Sequence, residues 1–296
     1  MVTSRYGIRD GRAASAVIVR ALGAIAAGLM IVTSAACGSA GGSTASASEG
    51  ASGTTINVAV AANSKPLSYT ESDGSLSGYE VAVLKAVDKQ LKNYSFNIEA
   101  VADDAEEIGL DSGKYGLITG GYFKTESREK KYLFPDVNTG VSLMKIYTLK
   151  GNSSVKSLDD LHGKKIAPIS PSGGVNNLLV HYNEKHDGNR SIDIVRQDNI
   201  SLAENFKGLV DGKYDAVVEP EQSFDLKSIE NSLGDKFRAT KPVQVNNQYF
   251  VVSKSQKTFL TDLNKALKTL KDNGMLERLS KQYFGENVFQ YKETAA

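Results

Sequence analysis

The feature that most constrains the fold is a phrase that occurs twice. Residues 113–118 read GKYGLI and residues 212–217 read GKYDAV, 99 positions further on. In each copy a predicted helix precedes the glycine and a short apolar strand follows it, so the glycine is expected in the left-handed position that closes a helix. Two independent helix stops would give the same letters, but the order of elements around both copies also matches. The repeat therefore predicts two similar α/β lobes.

Strand and helix patterns alternate around each copy. In the first lobe, strands are predicted at 56–61, 96–101 and 115–119, and helices at 79–91 and from 103 to the glycine at 113. In the second lobe, strands are predicted at 165–169, 193–195 and 216–218, and helices at 175–183 and 201–210, the last with Ser201 and Glu204 as a capping box. This order predicts parallel sheets with right-handed crossovers.

Two extended segments predict that the chain crosses between the lobes twice. They lie at 141–149 and 243–253. Two crossings make the first lobe discontinuous, so the amphipathic helices predicted at 259–270 and 275–283 complete it. The expected boundaries are 56–141 with 247–290 for the first lobe, and 142–246 for the second.

The N-terminus has the layout of an export signal. Four arginines precede an apolar run at residues 21–32, which small residues and Cys37 follow. The run is shorter than the ~20 residues that span a bilayer, which favours a secretory signal peptide over a permanent transmembrane helix. We predict a signal peptide over 1–36 and, from its Ser/Gly/Ala-rich composition, a flexible stalk over 37–55.

Composition narrows the classes of function. The chain has 35 Lys+Arg against 34 Asp+Glu, and without residues 1–36 it has 31 against 33, so no basic excess points to nucleic acid. One cysteine excludes an intramolecular disulfide and a multi-cysteine zinc site. The three histidines fall in polar stretches, and the sequence contains no Gly-x-Ser-x-Gly elbow, no Walker-type phosphate loop and no His-Glu-x-x-His motif. We therefore expect no metal, no cofactor and no enzyme.

Several phrases together carry a resemblance to a known family. They lie, in order, at 65–81, 120–135, 158–166, 212–216 and 264–285. In this order they resemble the family 3 extracellular solute-binding proteins of ABC importers, which bind polar amino acids, and the match covers residues 56 to about 286. The wording YFKTESREKKYLFP at 122–135 most resembles the cystine-type subgroup. Near the N-terminus, Cys37 resembles the lipidated cysteine of bacterial lipoproteins, although Ser34 stands where leucine is usual; an incidental cysteine at an ordinary cleavage site is the alternative.

The resemblance implies a fold and a role. The fold would be a type II periplasmic-binding-protein fold, in which two hinge strands join two α/β lobes that close on one amino acid. The chain would be a monomer on the outer face of a bacterial cell membrane, anchored by lipid on Cys37, that delivers its ligand to an ABC permease. The alternative is an enzyme on the same fold, such as a dehydratase of a small carboxylic acid, with Glu219 or Glu221 as its acid or base.

The resemblance also assigns ligand-binding residues to the first lobe. Arg128 occupies the position of the arginine that binds the ligand α-carboxylate, and a guanidinium suits that task because it forms two parallel charge-assisted hydrogen bonds. Thr125 lies in the same turn, and Gly120 and Gly121 lie at the strand end where backbone groups meet the ligand. A surface arginine in a charged loop is the alternative reading of Arg128.

Further candidates surround the expected cleft. Ser172 and Gly173 precede a predicted helix, where backbone N–H groups bind carboxylates, although an ordinary turn fits the letters as well. Tyr69 and Tyr122 are either an apolar wall of the pocket or core residues.

The sequence does not determine which residue binds the ammonium group of the ligand. Pro220 stands where the family has an acid. Glu219 or Glu221 could replace that acid, or neither could. The ligand's identity and the permease are not fixed by the sequence.

Overall fold

The computed structural model describes residues 53–171, 173–186 and 188–294. The predicted signal peptide, Cys37 and all but the last three residues of the predicted stalk lie outside the described residues. Within those ranges, no helix is both long enough and apolar enough to cross a membrane.

Strands and helices alternate as the patterns predict. The strands are β1 (Thr54–Ala61), β2 (Asn63–Ser64), β3 (Ser68–Thr70), β4 (Leu76–Ser77), β5 (Tyr94–Val101), β6 (Leu117–Tyr122), β7 (Gly140–Leu149), β8 (Val217–Pro220), β9 (Phe237–Ala239) and β10 (Gln244–Val252). The helices are α1 (Tyr79–Asp88), α2 (Asp103–Asp111), α3 (Glu126–Lys131), α4 (Gly174–Glu184), α5 (Leu202–Val210), α6 (Leu226–Leu233), α7 (Lys257–Asp272) and α8 (Met275–Phe284). Short β2, β3 and β4 form a separate three-stranded sheet.

The first lobe is built on parallel strands. β1 pairs in parallel with β5 on one side and with β6 on the other, as strand–helix–strand order predicts. The C-terminal helices complete its core: Leu263 and Leu267 of α7 belong to the same buried cluster as Val58 of β1 and Leu84 of α1. Because the four side chains are inaccessible to water, the apolar stripe of α7 is a stabilising part of this lobe.

Two strands join the lobes. The first halves of β7 and β10 pair antiparallel with each other, from Gly140–Gln248 to Met144–Gln244. Beyond that overlap β10 pairs with β6, whereas β7 pairs with β8 and β9. The seven described strands other than β2, β3 and β4 therefore form one sheet in the order β5-β1-β6-β10-β7-β8, with β9 paired to β7. We call the part around β1, β5 and β6 the first lobe and the part around β8 and β9 the second.

The second lobe has fewer regular strands than predicted. The predicted strands at 165–169 and 193–195 are not continuous. Two isolated bridges are found instead, Ile166 with Ala216 and Ile169 with Arg196, the residue after the second predicted strand. Pro168, which has no N–H to donate to a neighbouring strand, lies between the two bridged residues.

The repeated phrase closes its helices as predicted. Gly113 has a φ of 78° and Gly212 a φ of 77°, both in the left-handed region. At the other end of α5, the Ser201 side chain accepts the Glu204 N–H, which is the serine half of the predicted capping box. Each lobe thus places a left-handed glycine between a helix and the strand that follows it, β6 in the first lobe and β8 in the second.

Candidate functional site

The backbone N–H groups at the end of β6 are hydrogen-bonded to a side chain of the protein itself. The N–H groups of Gly120 and Gly121 both donate to Oε1 of Glu80, at 3.1 and 2.9 Å. Glu80 is buried, and this burial raises the pKa of its carboxyl group while the glycine N–H groups oppose the shift. The two predicted glycines therefore lie at the strand end, as expected, with their N–H groups directed to Glu80.

Glycine is required at Gly121 by the protein's own packing. Its φ is 66°, and a Cβ there would lie 2.6 Å from Nε2 of Gln248. A side chain would strain the backbone and displace the glutamine. The space beside the Gly121 Cα is therefore bounded by two side chains of the protein, Gln248 and Leu67.

Tyr122 has two roles at once. Its hydroxyl donates to Oε2 of Glu106 at 2.7 Å, and its ring belongs to a buried cluster of the first lobe. Burial is the main cause that raises the pKa of its hydroxyl, and Glu106 adds to it. The guanidinium carbon of Arg128 lies 4.8 Å from the ring centroid, within the range of a cation–π contact. Tyr122 is therefore a core residue that also supports Arg128.

Arg128 is held in place on three sides. Thr125 caps α3, and its side-chain oxygen accepts the Arg128 backbone N–H at 3.3 Å. The guanidinium donates from Nε and Nη2 to the same oxygen, Oε1 of Glu107, at 3.1 and 2.6 Å. The Arg128 side chain is 29% exposed and that of Glu107 is 36% exposed. Arg128 and Thr125 thus form one unit with Tyr122 and with Glu107, a residue absent from the predicted site.

Glu107 could have been found from the sequence by its place in the sheet. β5 and β6 flank β1 and run parallel to it, so their carboxyl ends lie at the same edge, where open α/β sheets bind ligands. The α2 acids follow β5 and Arg128 follows β6. In the sequence, the acids at 103–106 indicate only the start of the helix predicted from residue 103.

The second lobe approaches this edge at the start of α4. Gly173 precedes the helix with a φ of 95°. A Cβ on Gly174 would lie 3.7 Å from Cε of Met144 and 3.7 Å from Cε2 of Phe123, the residue after β6. The α4 N-terminus therefore faces the strand end that leads to Arg128. Ser172 lies outside the described residues.

Glu219 lies on the other face of β8. Side chains alternate along a strand, and register partners share a face. Pro220 is paired with Met144, which lies beside Gly174, whereas Glu219 is paired with Lys145. Glu219 is 8% exposed, and burial raises the pKa of its carboxyl group to about 7. The structure does not bring Glu219 to the face of β8 that α4 covers.

Glu221 and Tyr69 have other partners. Glu221 forms an ion pair with Lys145, whose ammonium group also lies 3.4 Å from Glu286. The hydroxyl of Tyr69, on β3, accepts a hydrogen bond from Ser77 at 3.3 Å. In the described ranges, no three His, Cys, Asp or Glu side chains are grouped so that they could hold a metal ion.

Comparisons with known proteins agree with this architecture. The L-cystine-binding protein TcyK of Bacillus subtilis (strain 168) is 27% identical over 233 residues, 79% of this chain and 84% of that protein. The crystal structure of the probable amino-acid ABC transporter extracellular-binding protein ytmK of Bacillus subtilis is 26% identical, with a TM-score of 0.70 over 79% of this chain and 98% of that one. A structure described with glutathione import via GshT and the cystine ABC importer TcyBC of Streptococcus mutans is 28% identical, with a TM-score of 0.66 over 80% and 97%.

These findings confirm the predicted type II binding-protein fold, and they favour a binding protein over the enzyme alternative. The model of the bacterial extracellular solute-binding proteins, family 3, matches residues 56–286. The chain therefore belongs to the bacterial extracellular solute-binding proteins, family 3.

Proposed function

We propose that this protein is the extracytoplasmic substrate-binding component of an ABC importer and that it binds an amino acid between its two lobes. The observation that carries the proposal is the half-buried guanidinium of Arg128, which Glu107 and Tyr122 hold at the strand edge that faces the start of α4. A fixed guanidinium suits a carboxylate, because less of its conformational freedom is lost on binding. Contacts from both lobes to one ligand would drive their closure.

We infer that L-cystine is the ligand to test first. TcyK is named as an L-cystine-binding protein, and the Streptococcus mutans structure is described with a cystine importer. The wording at 122–135 supports the same subgroup. An ABC permease would be the partner, and the protein would act as a monomer.

The ligand is tested by a thermal-shift screen of the twenty amino acids and L-cystine. At a ligand concentration of about 100 Kd the folded state gains about 2.7 kcal/mol, which corresponds to a rise of about 5–10 °C in Tm. The Arg128→Ala variant is expected to have an affinity about 30-fold lower or more, because the carboxylate of the ligand is left unpaired. Lys130→Ala removes the same charge from the exposed face of α3 and should bind as wild type does. Wild-type affinity in Arg128→Ala would refute the site.

We further propose that lipid on Cys37 anchors the protein to the outer face of the cell membrane. The basic segment, the apolar run and the small residues before Cys37 support this, and a diacyl anchor suffices for stable membrane attachment where a single chain is marginal. The full chain, expressed in a bacterium with a labelled fatty acid, should carry the label, and Cys37→Ala should not. An unlabelled wild-type protein released into the medium would show ordinary signal-peptide cleavage instead.

A further inference from the structure

The two carboxylates predicted for the ligand ammonium do not face Arg128. Glu219 shares a face of β8 with Lys145, and Glu221 is ion-paired with that lysine. On the α4 face of β8 the described side chains are Val218 and Pro220, neither of which accepts a hydrogen bond from an ammonium group. An amino acid bound through Arg128 therefore needs its acceptor elsewhere.

Glu107 is the carboxylate that the structure places beside Arg128. Both hydrogen bonds from the guanidinium reach Oε1, on the Nε side of the fork. Among the described residues, Oε2 of Glu107 accepts no hydrogen bond and Nη1 of Arg128 donates none. Each member of the pair thus retains bonding capacity, and side-chain exposures of 36% and 29% leave both accessible to a ligand.

Glu106, the acid next to Glu107 in the sequence, has a different role. Glu106 is buried and accepts the hydroxyl of Tyr122, which lies beneath the Arg128 guanidinium. Glu106 therefore belongs to the support of the site, and Glu107 is the acid on its accessible side.

We propose that Glu107 binds the α-ammonium group of the ligand while Arg128 binds its α-carboxylate; this rests on the proposed function. The pair is one cation and one anion side by side, and an α-amino acid presents the complementary anion and cation on one carbon. A zwitterion added to this pair gives alternating charges, so closure of the lobes buries no net charge. A carboxylate without an amino group meets the same Glu107 charge as a repulsion, which makes Glu107 a specificity-determining residue.

The test compares two ligands on the full protein by isothermal titration calorimetry. L-cystine has the amino groups, and 3,3′-dithiodipropionic acid has the same disulfide and carboxylates without them. Glu107→Gln is expected to weaken L-cystine binding by about tenfold or more, because the ammonium group loses its charged partner. It should leave dithiodipropionate binding equal or tighter, because the repulsion is removed. Glu107→Asp keeps the charge and should retain part of the preference for L-cystine. Glu126→Gln, an exposed charge on α3, is the matched control and should change neither affinity.

The outcomes separate this inference from the proposed function. An equal loss of both ligands in Glu107→Gln would show that Glu107 only positions Arg128, and unchanged L-cystine binding would exclude a contact; either result overturns the inference. If wild type binds another amino acid in place of L-cystine, the same comparison uses that acid and its des-amino analogue. If wild type binds no amino acid, the proposed function fails at that step and the inference fails with it.

Discussion

Glu219 illustrates at the scale of one residue how burial alone changes a charge. It extends from β8 toward the face that holds Tyr147, Val217 and Phe206, an apolar cluster of the second lobe. Desolvation penalises the ionised carboxylate and raises its pKa to about 7. The ammonium group of Lys145, its register partner, is directed to Glu221 and Glu286.

The raised pKa predicts how stability varies with pH. The ordinary pKa of a glutamate is 4.5, and that of folded Glu219 is about 7. Between these two pH values the folded protein holds a proton that the unfolded chain has released, so the free energy of unfolding falls as the pH rises. Glu219→Gln removes the free-energy cost of ionising this buried carboxyl group. We expect it to be more stable than wild type by up to about 3 kcal/mol at pH 8, and to differ little at pH 4.

Urea unfolding of both proteins across this pH range measures the effect. Glu277→Gln, an exposed glutamate on α8, is the control and should follow wild type at every pH. Parallel stability curves for Glu219→Gln and wild type would contradict the assigned pKa.

At the scale of elements, the sequence predicts well what short-range physics determines. The glycine stops at Gly113 and Gly212 and the Ser201 cap depend on residues within one helical turn, and all three are found. The apolar spacing of α7 predicts its buried face because helical periodicity is a local property. α1 ends at Asp88, three residues before the predicted end, because apolar spacing does not mark where a helix stops.

The site depends on contacts that no local pattern records. The face on which Glu219 lies follows from the register of β8 against β7, which is set by two distant segments. Glu107 meets Arg128 across 21 positions because β5 and β6 end at one edge of the sheet. The positions of Arg128 and Thr125 came from the family resemblance, whereas their support by Tyr122 and Glu107 required the tertiary structure.

At the scale of the whole molecule, an ion pair near the surface joins the two lobes. Lys65, in the loop between β2 and β3, lies 2.8 Å from Asp225, which caps α6 in the second lobe. The pKa of Asp225 is lowered, and the hydrogen bond from Lys65 is the largest cause. Such exposed pairs contribute about 0.2–1 kcal/mol and are weakened by salt. This pair adds to the stability of the arrangement in which the lobes lie close together.

An ion pair between the lobes should therefore affect ligand affinity, whereas an ion pair within one lobe should not. Lys65→Met removes up to about 1 kcal/mol from the state that binds ligand between the lobes, so affinity should fall by up to about fivefold at low salt, and by less at 1 M salt. Lys114→Met is the matched control: its 3.0 Å pair with Glu99 is similarly exposed but lies within the first lobe. Calorimetry should show an affinity change for Lys65→Met alone. Equal changes in both variants would mean that loss of surface charge, and not the connection between the lobes, alters binding.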